Sequence, residues 1–221
     1  MKSQRKPFWV SLLDAIGRYN LILCLVILFP LIWLSQQIDT KNFPEFDNNF
    51  MLWLQAHINS MYAPFFQLFY IIGNTKFSAM IVTISLAILI WKRYWKEATI
   101  LAFGSLGVLI LVDDILKPFL GRRRPDLRLV EVSGSKSFPS GHATGNLFLY
   151  FYLSYLLSAR FPKLTPYIYG TATIFLIIMG LSSIYVRAHW PTDIIAGYGI
   201  GYIWLTIALA LLKLSEKKYR S

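Results

Sequence analysis

Apolar and polar positions divide the chain into long, nearly uninterrupted hydrophobic blocks separated by short charged or turn-rich stretches. Six blocks, at 20–37, 75–91, 97–116, 143–159, 166–185 and 194–212, approach the ~20 residues an α-helix needs to cross the hydrocarbon core of a bilayer. Each is therefore expected to be a transmembrane helix. A further apolar stretch, 50–72, is interrupted by His57, Asn59, Pro64 and Gln67. Its amphipathic character predicts a helix lying in the membrane interface or folded under it. A seventh span there is the competing reading. The expected architecture is all-α: one polytopic membrane domain over 1–221, with six transmembrane helices plus an interfacial helix.

Composition supports a membrane protein. The 221 residues are 56% hydrophobic and only 15% charged, against roughly 25% charged in soluble domains. The mean hydropathy is +0.50. The first block begins near Asn20, late and long for a signal peptide, and no small-residue cleavage site follows, so it is expected to be retained as a span. The single cysteine, Cys24, lies inside that block. It excludes an intramolecular disulfide and a cysteine-based metal site. The net charge of +11 would suit nucleic acid, but the cations cluster at the ends of apolar blocks, which points to the bilayer as partner instead. There is no tandem repeat and no low-complexity tract.

Lysine and arginine placement sets the expected orientation. With six spans the termini share a side, and that side holds Lys2, Arg5, Lys6, Arg18, Lys92, Arg93, Lys96, Arg160, Lys163, Lys213, Lys217, Lys218 and Arg220. These are 13 of the 22 basic residues, so both termini are expected in the cytoplasm. A seventh span would separate the termini and break the pattern. Most of the remaining cations fall between Lys117 and Arg187, on the outer face. One reading of them is an interfacial patch that touches anionic headgroups. The other is an anion site built from guanidinium groups, which grip phosphate bidentately and stay charged.

Three segments at span ends converge on that outer face. "KPFLGRRRP" runs from Lys117 to Pro125, "SFPSGHA" from Ser137 to Ala143, and "SSIYVRAHWPTD" from Ser182 to Asp193. Ser140 suits a helix N-cap, and Gly141 lets a ligand approach the backbone. A helix N-terminus with free N–H groups attracts anions, and His142 lies in that first turn. The other reading of the segment is a plain helix start with a wet histidine beside it. His189 and Asp193 are four residues apart at a second helix start, with Pro191 near the first helical position. That spacing sets a carboxylate beside an imidazole, where it would fix the tautomer and raise basicity. It is also a common way to stabilise a helix end. Taken together, two histidines, a carboxylate and several cations facing water suit phosphoryl transfer, which needs mainly positioning and charge neutralisation. One histidine serves as nucleophile, and a second moves protons. No carboxylate cluster suggests a metal pair, so catalysis without metal or other cofactor is expected.

These segments resemble the type 2 phosphatidic acid phosphatase (PAP2) family. Its first motif, Lys, six residues, Arg-Pro, reads here Lys117 to Arg124-Pro125. The second, Pro-Ser-Gly-His, is Pro139 to His142. The third, Ser-Arg, five residues, His, three residues, Asp, ends here in His189 and Asp193. The resemblance covers about 110–200. It implies that His189 forms a phosphohistidine, that Asp193 supports it and that His142 is the general acid. It further implies that Lys117, Arg124, Ser140 and the Gly141 amide hold the phosphoryl oxygens. The sequence departs at the third motif, where the family arginine is Ser183. Arg187, four residues on, would lie about one helical turn away if the segment stays helical, and is the expected replacement; the other reading is a pocket short of one phosphate ligand. Arg122, Arg123 and Arg128 have no motif role and are expected to meet headgroup charge.

The implied function is a metal-independent lipid phosphate phosphatase of a bacterial inner membrane, working at its outer face. Undecaprenyl diphosphate, phosphatidylglycerol phosphate, phosphatidic acid and a lipid A phosphate all fit as substrates. A lipid-to-lipid phosphotransferase with the same site is the nearest alternative. A non-catalytic lipid-binding homologue is suggested by Ser183. Oligomeric state is left open.

Overall fold

The computed structural model describes residues 7–37, 42–120, 122–132 and 134–217, so Lys2, Arg5, Lys6, Lys41, Lys218 and Arg220 of the charge pattern lie outside the described residues. Secondary structure within them is helical: α1 Phe8–Ile16, α2 Arg18–Gln37, α3 Asn42–His57, α4 Ala63–Ile72, α5 Thr75–Trp91, α6 Trp95–Leu109, α7 Lys117–Leu120, α8 Gly141–Arg160, α9 Thr165–Tyr185 and α10 Pro191–Lys217. A π-helical segment, Ile110–Leu116, joins α6 to α7 without a break. Each of the six apolar blocks forms a helix. Among the described residues, four stretches can cross a membrane by length and hydropathy: Arg18–Gln37, Trp95–Leu120, Pro162–Tyr185 and Pro191–Glu216. A fifth is possible if Ser60–Ile72 and Thr75–Trp91, bent by 49° at their junction, act as one. α8 falls outside this set because its first turns carry His142, Thr144, Gly145 and Asn146, polar or small groups directed at neighbouring helices rather than lipid.

The stretch 50–72 is not one helix. Its first part completes α3, which begins earlier, at Asn42. The Asn59 side chain then accepts a hydrogen bond from Met61 N at 2.9 Å, and Pro64 opens α4. An acceptor side chain followed by proline near the first helical position restarts a helix rather than continuing one. α4 passes into α5 through Gly73 and Asn74, and Asn74 Oδ1 caps α5 by accepting from Phe77 N at 2.9 Å.

α6, α8, α9 and α10 enclose the main core, in which Leu101, Val112, Phe148, Tyr152, Leu176 and Leu212 are buried. Outward faces remain apolar, as at Phe29 (77% exposed) and Phe103 (71% exposed), where lipid rather than water is the natural solvent. Lipid tails give helices no hydrophobic reason to associate, so close backbone packing of small residues must do it. Gly197 and Gly201 of α10 supply that contact. A Cβ at Gly197 would stand 2.7 Å from both Ser140 O and the Ala143 Cβ, and one at Gly201 would stand 2.8 Å from Thr144 O. These glycines press the start of α10 onto the start of α8, so the two motif histidines face one another at the same end of the bundle.

Candidate active site

Four helix ends meet here: the C-termini of α7 and α9 and the N-termini of α8 and α10. Ser140 is the N-cap of α8, with Oγ accepting from Ala143 N at 3.2 Å. Its own N–H donates to Asp193 O at 3.1 Å, which ties the two helix starts together. His142 follows in the first turn, and its ring centroid lies 5.8 Å from that of His189. Lys117 enters from α7. A Cβ on Gly141 would stand 3.8 Å from Lys117 Nζ, so the ammonium sits beside the α8 amide end. Lys117 Nζ also pairs with Asp113 Oδ1 at 2.6 Å.

The three consecutive arginines do not act as one patch. Residues 122–124 are non-helical, Arg123 bridges to Lys136, and Ser137 N donates to Arg122 O at 2.9 Å. Alternation along extended chain turns Arg122 and Arg124 inward and leaves Arg123 exposed. Arg124 donates to Ala188 O at 2.8 Å and to Gly134 O at 3.1 Å, and the same NH1 lies 3.1 Å from His189 Nε2. Burial lowers the Arg124 pKa, with Tyr70 and Asp193 acting against it.

The α9 helix ends at Tyr185, so the segment from Ser183 to Arg187 does not stay helical as the one-turn expectation for Arg187 requires. Arg187 takes a left-handed conformation, φ 58°. Its N–H and those of Ala188 and His189 fold back onto the last turn of α9, donating to Ile184 O and Ser183 O. This turn points the buried His189 ring inward. Nδ1 faces Ser137 O at 3.1 Å and Asp193 Oδ2 at 3.4 Å. Both are acceptors, and the guanidinium at Nε2 can only donate. The proton therefore sits on Nδ1, and the Nε2 lone pair looks toward Arg124. Burial pushes the imidazole pKa below its ordinary value, and the hydrogen bond and charge of Asp193 pull it back up.

Lys117, Arg124, Ser140, Gly141, His142, His189 and Asp193 are thus brought to one place. Arg187 turns elsewhere: its guanidinium donates to Gln55 Oε1, at 2.6 Å through NH2 and 3.2 Å through Nε. Arg128 is exposed, whereas Arg122 is 7% exposed and does not reach a headgroup. It donates to Asp193 Oδ1 at 3.0 Å, to Thr192 Oγ1 at 2.7 Å and to Asp47 Oδ2. The burial corrects the headgroup expectation for Arg122: its donors are satisfied inside by two carboxylates and the Thr192 hydroxyl, so it has no need of a headgroup. Asp47 and Thr192 are contributors that the sequence reading missed. No spacing rule links position 47 to 122 or 193, so only the tertiary fold reveals them.

Two hollows adjoin the site. One of about 430 Å³ is lined by Asp113, Lys117, Pro118, Gly134, Ser135 and Lys136. The other, about 310 Å³ and mostly apolar, runs from His142 between α5, α6 and α8.

Residues 97–217 match the PAP2 superfamily, and the chain belongs to that family. It is 28% identical over 128 residues to phosphatidylglycerophosphatase B of Bacillus subtilis (strain 168), a match covering 56% of this chain and 62% of that protein. It is 34% identical over 115 residues to a lipid A 1-phosphatase of Rhizobium johnstonii, covering 46% of this chain and 42% of the relative. With a lipid A 4'-phosphatase of Porphyromonas gingivalis it shares 28% identity over 161 residues, 66% of each chain. The chain thus spans less than two thirds of the first two relatives. The crystal structure of a transmembrane PAP2 type phosphatidylglycerolphosphate phosphatase from Bacillus subtilis superimposes with a TM-score of 0.77. It covers 88% of this chain and 96% of that one at 21% identity, a likeness of fold.

Proposed function

We propose that the chain is a metal-independent lipid phosphate phosphatase that works through a phosphohistidine at the outer face of a bacterial inner membrane. The observation that carries this reading is the state of His189: Nδ1 is engaged by Ser137 O and Asp193, and Nε2 is directed at Arg124 with His142 opposite. The Nε2 lone pair attacks phosphorus as the bond to the lipid oxygen breaks, and His142 gives that oxygen its proton. Burial lowers the His142 pKa to about 3, so the ring takes up that proton beside the phosphate anion, which favours its charged form. His142 then takes a proton from water. The water oxygen bonds to phosphorus, the phosphorus–Nε2 bond breaks and inorganic phosphate leaves. Lys117, Arg124, Ser140 Oγ and the Gly141 amide hold the equatorial oxygens, where transition-state charge gathers. Arg187 joins them by exchanging Gln55 Oε1, a neutral acceptor, for a charged phosphate oxygen, the stronger partner.

The names of the relatives and the mixed polar and apolar hollows support a lipid carrying a phosphomonoester or diphosphate headgroup. Six spans, with the α3–α4 region at the interface and both termini cytoplasmic, fit helix ends of alternating direction meeting on one side. The test is phosphate release from phosphatidylglycerol phosphate, phosphatidic acid, undecaprenyl diphosphate and lipid A phosphate in mixed micelles containing EDTA. The wild type should release inorganic phosphate and carry an acid-labile, base-stable phosphoryl label that His189→Ala lacks. Turnover by His189→Ala, or a strict need for added magnesium, overturns the reading. Phosphate appearing on a second lipid instead of in solution identifies a phosphotransferase.

A further inference from the structure

Behind the catalytic pair lies a charged cluster that phosphate binding does not use. Asp47, on α3, is fully buried, as is Asp193, and Arg122 lies between them at 7% exposure. The Arg122 guanidinium spans the two carboxylates and stacks over Trp190, 5.1 Å from the ring centroid. Asp47 holds the first turn of α10 as well, accepting from Thr192 N at 2.9 Å and Thr192 Oγ1 at 2.6 Å. The second oxygen of Asp193 accepts from Trp190 N at 2.9 Å and faces His189 Nδ1. Both Asp193 oxygens are therefore engaged, which holds the carboxylate against rotation.

The charges matter as much as the hydrogen bonds. With Arg122 alone beside it, Asp193 would be neutralised, and its pull on an imidazole acquiring positive charge would be weak. Asp47 on the far edge of the guanidinium leaves the trio with a net negative charge. In a buried setting that difference is poorly screened.

We propose that Asp47 and Arg122 are positioning residues for the His189–Asp193 pair. Arg122 fixes the Asp193 carboxylate, and Asp47 keeps the charge behind the imidazole negative so that His189 can carry the phosphoryl group. This inference rests on His189 being the nucleophile. It makes α3, which lies outside the motif-bearing region, part of the catalytic apparatus.

The groups that face His189 are Asp193 from α10, Arg124 from the segment after α7, Lys117 from α7, with Asp113 on it, and His142 from α8; Arg122 acts on it through Asp193. Asp47 stands behind Arg122. Removing one member of the cluster therefore has a predictable sign. Asp47→Asn takes away negative charge and moves the acid limb of the kcat/KM profile to lower pH. Arg122→Gln takes away positive charge and moves it to higher pH. Each shift should be about one pH unit, and the double variant should return toward the wild type. Both single variants should lose about tenfold or more in kcat with little change in KM, and Asp47→Glu should keep the wild-type limb.

The measurement is the pH profile of the full-length chain in detergent with phosphatidylglycerol phosphate as probe, with a thermal melt of each variant. A purely structural ion cluster lowers the melting temperature without moving the limb, and that result overturns the proposal. So does a shift of both single variants in the same direction. If Arg122→Gln fails to fold, the comparison of Asp47→Asn with Asp47→Glu decides alone. His189→Ala separates the two levels of the argument: if it still turns over, the nucleophile assignment fails. If it is inactive while Asp47→Asn keeps the wild-type profile, only the role of Asp47 and Arg122 falls.

Discussion

Replacing Gly197 by alanine adds one methyl group at the place where α10 and α8 touch. The new Cβ would meet Ser140 O and the Ala143 Cβ at 2.7 Å, whereas ordinary contact begins near 3.4 Å. The helices must part by about 0.7 Å, or one must tilt. Forced overpacking of this kind costs about 1–3 kcal/mol, offset by the roughly 1 kcal/mol that alanine gains over glycine within a helix. The net loss of stability is therefore small. The effect on the chemistry should be larger, because the displaced atoms are the cap and first turn that carry His142. A misplacement approaching 1 Å in a reacting geometry can cost about 10²-fold. Gly201→Ala is the matched control: its Cβ would stand 2.8 Å from Thr144 O, one turn further from the site. Thermal melts in detergent should show similar small losses for both variants. Single-turnover rates should fall about tenfold to a hundredfold for Gly197→Ala and about threefold or less for Gly201→Ala. Equal rate losses, or a wild-type rate for Gly197→Ala, would refute the claim that this contact sets the spacing of the histidines.

Arg187→Ala should lower kcat/KM by about tenfold or more, as expected for loss of a charged donor to the phosphoryl oxygens, while Arg128→Ala should do much less; wild-type kinetics for Arg187→Ala would remove it from the phosphate set. In a Cys24→Ser background, a cysteine at Ser135 should react with an impermeant thiol reagent from outside intact cells and one at Ser215 should not; the reverse labelling would move the site to the cytoplasm. Because burial depresses the His189 pKa, the unfolded chain takes up this proton first as pH falls. The stability held by the neutral ring is then complete above about pH 6.5 and lost below it. Melting temperature should decline on acidification from that point, and His189→Gln should flatten the decline; an unchanged slope would contradict the depressed value.

Helix positions were legible because a bilayer demands long apolar runs, and each of the six runs became a helix. The start of α3 was not legible. Residues 42–49, "NFPEFDNN", are polar by composition, and their helix is justified only by what Asp47, Met51 and Leu54 bury against the loop beneath them. The two histidines, Asp193, Lys117 and Arg124 were legible as chemistry, and the cap at Ser140 as local geometry. The inward and outward turn of Arg122, Arg123 and Arg124 was not, because three identical side chains carry no hydropathy pattern from which an alternation can be read. The path of the chain to Arg187 was not legible for a backbone reason: one helical turn from Ser183 holds only while the helix continues, and it ends at Tyr185.

The left-handed conformation at Arg187 bears on which residues position 187 can accept. An L-residue there carries about 1–2 kcal/mol of backbone strain that glycine does not, partly recovered through the bond from its guanidinium to Gln55. Arg187→Gly would release the strain and lose the tether together, so the two changes nearly cancel. Arg187→Ala would keep the strain and lose the tether. Glycine at 187 would therefore fold about as well as arginine, one residue from the Ala188 carbonyl that holds Arg124, whereas alanine would fold less well. Folding alone does not require an arginine at position 187, whereas buried Ser183, inside the last turn of α9, is held by its packing.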